Sequence, residues 1–312
     1  MQTILGAGGA IGVELAKALP EYTDEIRLVS RKPEKINPSD ELMSADLTDR
    51  EACIEAVKGS DVVYLTVGLP YSYKVWKELW PRVMRNTIDA CKNAGAKLVF
   101  FDNIYMYDPS DLNPITEDLP IAPQTKKGKV RAEIAEMLMN EVEGGELQAL
   151  VARAADFYGP SIDKTSMMTE MVFKPLGAEK PRAAAWMCDV NKKHSFTYTP
   201  DAGKATALLG NTESAYGQVW HLPTATNPPT GKEWIEMVAA EMGVKPKFRS
   251  TGKFMVKLVG LFIPVLGEVH EMLYQYDRDY VFNSDKFNSK FDFKITPYEQ
   301  GIREIIEIDY RG

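Results

Sequence analysis

The strongest constraint on the chain lies in its first turn, Gly6-Ala7-Gly8-Gly9-Ala10-Ile11-Gly12. A short apolar run, Thr3-Ile4-Leu5, precedes it, and Val13-Glu14-Leu15-Ala16-Lys17-Ala18-Leu19 follows. That order reads as strand, glycine-rich turn, helix. Glycines permit the tight turn and let bare backbone approach a ligand. The N–H groups at the helix start carry the positive end of the helix dipole, which suits a pyrophosphate. The spacing is Gly6-x-x-Gly9-x-x-Gly12, not the more familiar G-x-G-x-x-G. Alone, such a turn is also compatible with an ordinary strand-to-helix connection. The order of elements that follows favours nucleotide binding.

The first half alternates strands with helices. Strands are expected at Glu25–Ser30, Asp61–Val67, Ala96–Phe101 and Leu147–Arg153. The second and third of these are nearly continuous apolar runs, as in parallel strands covered on both faces. Helices are expected at Glu51–Lys58, Trp76–Asn93 and Lys127–Val142, each followed closely by a glycine. Such alternation implies βαβ units and right-handed crossovers. Beyond Gly159-Pro160 the pattern turns irregular, with helices near Asp201–Leu209, Gly231–Met242 and Lys253–Tyr276 and a candidate strand at Gln218–Leu222. The expected architecture is α/β, a doubly wound parallel sheet with a smaller C-terminal substrate lobe. Residues 1–160 would form the nucleotide-binding domain, and residues 161–312 the lobe, interleaved with the last sheet strands.

Charge and composition narrow the partners. The net charge is -7 and no long basic run occurs, which argues against sequence-independent nucleic-acid binding. Hydrophobic residues make up 45% of the 312, enough for a substantial core. Cys53, Cys91 and Cys188 form no CxxC pair, and His194, His221 and His270 show no ligand spacing, so no metal site is expected. The apolar stretch Phe254 to Leu266 carries Lys257 and Pro264 and falls short of the roughly 20 residues of a spanning helix. It reads as a buried or pocket-lining helix, with Met255, Phe262 and Leu266 able to cover an apolar substrate or a subunit contact. The expectation is a cytoplasmic monomer or homodimer without a signal peptide. It would take a small-molecule substrate, with no nucleic-acid and no membrane partner.

In open α/β sheets ligands bind beyond the carboxyl ends of the strands. After the second strand an NAD site usually offers an acidic residue to the ribose 2'-hydroxyl, but here Ser30-Arg31-Lys32 follows. A guanidinium can pair with a 2'-phosphate and stack on adenine. That favours NADP(H) over NAD(H), against the alternative of a solvated loop pair. Asp46 and Leu47 fall where the adenine edge would lie, although Asp46 could equally be a loop acid or helix cap. Val67, Gly68 and Leu69 end the fourth strand, where a small residue lets a cofactor pass close.

These residues resemble the extended, atypical branch of the short-chain dehydrogenase/reductase superfamily, the NAD-dependent epimerase/dehydratases. The resemblance rests on Gly6-x-x-Gly9-x-x-Gly12, Asp46-Leu47, the Asn86 to Cys91 helix, Phe101 to Tyr107, Arg153 to Pro160, and Phe196 to Asp201. It implies a Rossmann-type sheet. It also implies a dinucleotide held by Gly6, Gly9, Ala10, Ile11, Gly12 and Ala155, and a substrate met by Asp156; Tyr71, past the fourth strand, and Tyr158, past the sixth, are further substrate candidates by their position alone. Family members use a Ser or Thr together with Tyr-x-x-x-Lys, in which the lysine favours tyrosinate and holds the nicotinamide ribose.

The chain departs from that pattern. The following Ala132-Glu133 aligns Lys129 with the family lysine, which puts Thr125 at the tyrosine and Asn103 at the serine. A threonine alcohol is a poor proton shuttle near neutrality. Either another hydroxyl serves, Tyr105 before Tyr107 or Tyr158, with Asn103 polarising the carbonyl and Lys129 on the ribose, or the protein binds NADP(H) without turnover as a regulator. Lys126, Lys127 and Arg131 belong to the same basic helical start, which could meet an anionic substrate or simply face solvent.

Overall fold

The computed structural model describes residues 1–260, 262 and 264–311. The chain forms two compact units, interleaved along the sequence. One takes Met1–Met106, Lys126–Ala154 and Ala202–Leu222, and the other Tyr107–Thr125, Ala155–Asp201 and Pro223–Gly312.

The first unit is built on a seven-stranded sheet of β1 (Gln2–Leu5), β2 (Ile26–Ser30), β3 (Glu41–Ser44), β4 (Val62–Leu65), β5 (Lys97–Asp102), β6 (Ala149–Arg153) and β10 (Val219–His221). All pairings are parallel, in the order β10-β6-β5-β4-β1-β2-β3. The order reverses direction between β1 and β4, the switch point at which such sheets bind ligands. Helices α1 (Ala10–Ala18), α2 (Arg50–Val57), α3 (Tyr73–Ala94) and α4 (Lys126–Glu143) carry the crossovers, and α6 (Thr199–Gly210) enters this unit from Ala202 on. A cluster running from Leu5 and Val29 through Val63, Trp80, Met84, Ile88 and Phe100 to Ile134, Leu138 and Val151 forms one continuous core. Burial of strand residues on both faces explains why these segments read as apolar runs. Local signals place the ends: Asp49 accepts a hydrogen bond from the Ala52 N–H at 3.0 Å to cap α2, and Gly95, at φ 67, closes α3.

The second unit holds two short parallel pairs, β7 (Asp156–Tyr158) with β9 (Phe196–Tyr198) and β8 (Ala184–Met187) with β11 (Phe248–Thr251). Its helices are α5 (Lys174–Leu176), α7 (Gly231–Met242), α8 (Lys253–Gly260), α9 (Pro264–His270), α10 (Asp285–Lys290) and α11 (Tyr298–Asp309). Thr230 and Glu233 form a reciprocal capping box at the start of α7. The interior is aromatic. Tyr158 packs against Tyr198, Trp234 and Tyr298 at ring separations of 5.2, 5.3 and 6.1 Å.

The stretch expected as a buried or pocket-lining helix from Phe254 to Leu266 is not one continuous buried helix, and its Leu261 and Ile263 lie outside the described residues. It is divided between α8 and α9, and Phe254, Met255 and Leu258 are 78%, 49% and 45% exposed, with Phe262 exposed as well. Among the described side chains of α8, Val256 is the one that is buried. Among the described residues no helix is long and apolar enough to cross a membrane.

Candidate active site

The β1–α1 turn is shaped by backbone contacts that leave no room for side chains. Gly6 adopts φ 101, and a Cβ there would lie 2.5 Å from the Val67 Cα. A Cβ on Gly12 would lie 2.6 Å from the Gly6 carbonyl oxygen. The Gly6 and Ala7 N–H groups donate to the Val29 carbonyl at 2.9 and 3.2 Å, tying the turn to β2. Gly8, by contrast, faces open space, and Gly9 begins α1 with extended backbone and no side-chain cap. The start of α1 therefore keeps the bare N–H surface that an anion needs. Gly6 and Gly12 make the turn, and Gly8 and Gly9 leave it open, which fits a dinucleotide pyrophosphate. Ala10 is half-buried and Ile11 is buried in the first turn of α1.

At the end of β2, Ser30 is half-buried and accepts from the Lys32 N–H at 3.2 Å. Arg31 and Lys32 are exposed, and neither forms an ion pair among the described residues. Asp46 is exposed. The Thr48 N–H and hydroxyl donate to its Oδ1 at 2.9 and 2.8 Å, and these bonds hold its carboxyl below the usual range, helped by the Arg31 charge. Leu47 is buried, and its carbonyl accepts from Asn86 Nδ2 at 2.9 Å. Val67 and Leu69 pack partly against the core, while Gly68 is exposed with nothing near its Cβ position.

Beyond β4 and β5 an aromatic and cationic group assembles. Trp76 stacks on Tyr105 at 6.2 Å and 14° and meets Tyr71 edge-on at 5.6 Å. The Lys127 ammonium lies 4.7 Å from the Tyr71 ring centroid, and Lys127 is 0% exposed. Asn103 follows β5. Its Oδ1 accepts from the Tyr105 N–H at 3.1 Å, and its own N–H donates to Asp102 Oδ1 at 2.8 Å. Asp102, the last residue of β5, also receives Arg131 Nε at 2.8 Å and Arg153 Nε at 3.4 Å, while Arg131 lies 4.4 Å over the Trp80 ring. One buried carboxylate thus joins α4 to the ends of β5 and β6.

Helix register decides which lysine faces inward. Lys127, Arg131, Ile134 and Leu138 share the buried face of α4, whereas Lys129 is exposed. The Ala-Glu match singles out Lys129, and burial singles out Lys127. The i, i+3, i+4 spacing running back from Leu138 and Ile134 is the signal in the sequence that marks it. Thr125 is buried just before α4.

In the second unit, Asp156 Oδ2 lies 3.0 Å from His194 Nε2 and accepts the Tyr276 hydroxyl at 2.9 Å. His194 Nδ1 lies 3.1 Å from the Gln275 carbonyl, which can only accept, so Nδ1 carries a hydrogen. The imidazole is stacked between Tyr276 and Tyr280, each at 4.4 Å. Ala155 is buried, and its N–H donates to Thr197 Oγ1 at 3.1 Å. Tyr158 is core: its hydroxyl is buried without a hydrogen-bond partner, and burial raises the phenol well above its ordinary range.

A doubly wound parallel sheet with a glycine-built helix start at its switch point defines a dinucleotide-binding enzyme of the extended short-chain dehydrogenase/reductase type. Residues 3–220 match the NAD dependent epimerase/dehydratase family, and the chain belongs to it. A 3-diazoavenalumate denitrifying reductase from Streptomyces sp is 25% identical over 280 residues, 83% of this chain and 87% of that protein. Among solved structures, a dTDP-glucose 4,6-dehydratase from Streptomyces venezuelae with NAD bound superposes with TM-score 0.80 at 15% identity, covering 100% of this chain and 97% of that one. The Thermus thermophilus UDP-glucose 4-epimerase in complex with NAD gives 0.79 at 17%, covering 100% and 99%. These structural likenesses speak for the fold. The enzyme uses a nicotinamide dinucleotide.

Proposed function

We propose that the chain is an NADP(H)-dependent oxidoreductase, reductase-like or epimerase-like, acting on a small carbonyl or sugar-like substrate. The cofactor preference is carried by Arg31 and Lys32, exposed and outside any ion pair among the described residues, directly past β2, where an acidic residue would serve NAD. Asp46 does not stand in the place of that acid, because it lies beyond β3 and not β2. A guanidinium in that place is a bidentate partner for a 2'-phosphate. The reductase relative supports turnover over silent binding.

When bound, the nicotinamide supplies or accepts the hydride. The residues of this chain do the rest. Gly6, Gly9 and Gly12 shape the turn whose N–H groups meet the pyrophosphate. Lys127 takes the ribose role, on the ground of its burial beside Tyr71. The Asn103 side-chain amide, which donates no hydrogen bond among the described residues, is free to polarise a substrate carbonyl. The Tyr105 hydroxyl gives the proton to the oxygen on reduction and takes it back on oxidation. Thr125 keeps a structural role, since its alcohol does not ionise near neutrality. Asp156 faces substrate as the polar residue that opens β7.

Calorimetric titration with NADPH, NADH and both oxidised forms tests this reading. NADPH should bind more tightly than NADH, and Arg31→Ala should erase about a tenfold preference by weakening NADPH alone. Lys127→Met should weaken both reduced forms alike, because the nicotinamide ribose is common to them. Equal binding of NADPH and NADH would overturn the preference, and no binding of any of the four would overturn the whole reading.

A further inference from the structure

The segment from Lys245 through α8 differs in charge from the rest of the chain. Between Glu241 and Glu268 the chain has no acidic residue and carries Lys245, Lys247, Arg249, Lys253 and Lys257, in a protein whose net charge is -7. All five basic residues are exposed. Lys253 pairs with Asp277, whereas Lys245, Lys247, Arg249 and Lys257 form no ion pair among the described residues. Beside these cations α8 presents Phe254, Met255 and Leu258 to solvent. Phe254 and Leu258 are four residues apart and so share a helix face, and Lys257 stands next to Leu258.

An exposed phenylalanine on a short helix with a cationic flank is the composition of a segment that lies in a bilayer interface. Anionic headgroups attract the cations, and the apolar ridge enters the acyl boundary. A second copy of this chain fits less well. A two-fold contact through this face would bring one patch of cations against an identical one. We propose that β11 and α8 form a peripheral docking surface for an anionic phospholipid bilayer. This proposal is independent of the cofactor and the reaction.

The test is co-sedimentation of the full chain with vesicles of phosphatidylcholine alone and of phosphatidylcholine mixed with phosphatidylglycerol. The chain should pellet with the mixed vesicles, weakly or not at all with the neutral ones, and less as salt is raised. Lys257→Gln should lower the affinity about fivefold, the effect of one cation near such a surface. Phe254→Ser should lower it about tenfold through lost insertion. Both positions are exposed, so the fold is kept. No binding to mixed vesicles overturns the proposal, as does equal binding to neutral ones. So does a dimer in light scattering that Phe254→Ser dissolves while the vesicles are ignored.

Discussion

Asp102 and Asp156 invite comparison, because each carboxylate joins side chains from separate segments of its own unit. Asp102 ends β5, is fully buried, and is held by two guanidiniums, Arg131 from α4 and Arg153 from β6. Asp156 begins β7, keeps 16% of its side chain exposed, and meets His194 and the Tyr276 hydroxyl. The first unit fastens its elements with full charges that have left water. The second surrounds a hydrogen-bonded carboxylate and imidazole with aromatic rings. A buried carboxylate between two fixed cations cannot be removed without stranding them. A carboxylate bonded to an imidazole and a phenol can be replaced by another acceptor at smaller cost.

The largest expected effect tests that difference directly. Asp102→Asn keeps the shape but takes away the negative charge that two buried guanidiniums share, and should destabilise by about 3–5 kcal/mol. Asp156→Asn keeps an acceptor for both partners and should cost about 1 kcal/mol. Denaturant unfolding of both variants measures the contrast. Equal losses would mean that the two interiors are built on the same principle and that the comparison is wrong.

Glycine use offers a second contrast. A Cβ on Gly12 would strike the Gly6 carbonyl oxygen, whereas a Cβ on Gly301 in the second unit would strike the Tyr158 hydroxyl at 2.7 Å. Backbone cannot step aside as a side chain can. Gly12→Ala should therefore cost about 1–3 kcal/mol. Gly8→Ala enters open space and should leave stability within about 0.5 kcal/mol. The same Gly8 variant should weaken dinucleotide binding about tenfold, near 1.4 kcal/mol, because its methyl stands where bare backbone meets the ligand. Unchanged affinity in Gly8→Ala would move the pyrophosphate away from this turn.

What can be read from the sequence follows from the same physics. The inner strands of the parallel sheet are legible because strands buried on both faces are apolar throughout. The edge strand β3, Glu-Leu-Met-Ser, is not, because it is mostly exposed and nothing in its pattern separates it from a loop. The glycine turn is legible because backbone crowding demands glycine at fixed places. The two lysines of α4 are marked by different signals: the family motif points to Lys129, and the buried stripe of the helix contains Lys127. The setting of His194 has no local signal: Asp156 and Gln275 lie 38 and 81 residues away in the chain. The exposure of Phe254 is hidden because hydropathy reports preference for burial and not the presence of a neighbour that provides it.

The smallest expected effect sharpens the comparison from the side of the second unit. Its position past the sixth strand makes Tyr158 a substrate candidate, and it lies among Tyr198, Trp234 and Tyr298 with its hydroxyl buried and without a hydrogen-bond partner among the described residues. Folding takes that hydroxyl out of water and returns no bond. Tyr158→Phe should therefore leave stability unchanged or raise it by about 1 kcal/mol, and kcat and KM should stay at their original values. The aromatic packing that holds the ring is kept, so the variant isolates the hydroxyl alone. If kcat fell while stability was unchanged, the hydroxyl would be part of the reaction, and the interior of the second unit would be a reactive surface and not an aromatic support for Asp156 and His194.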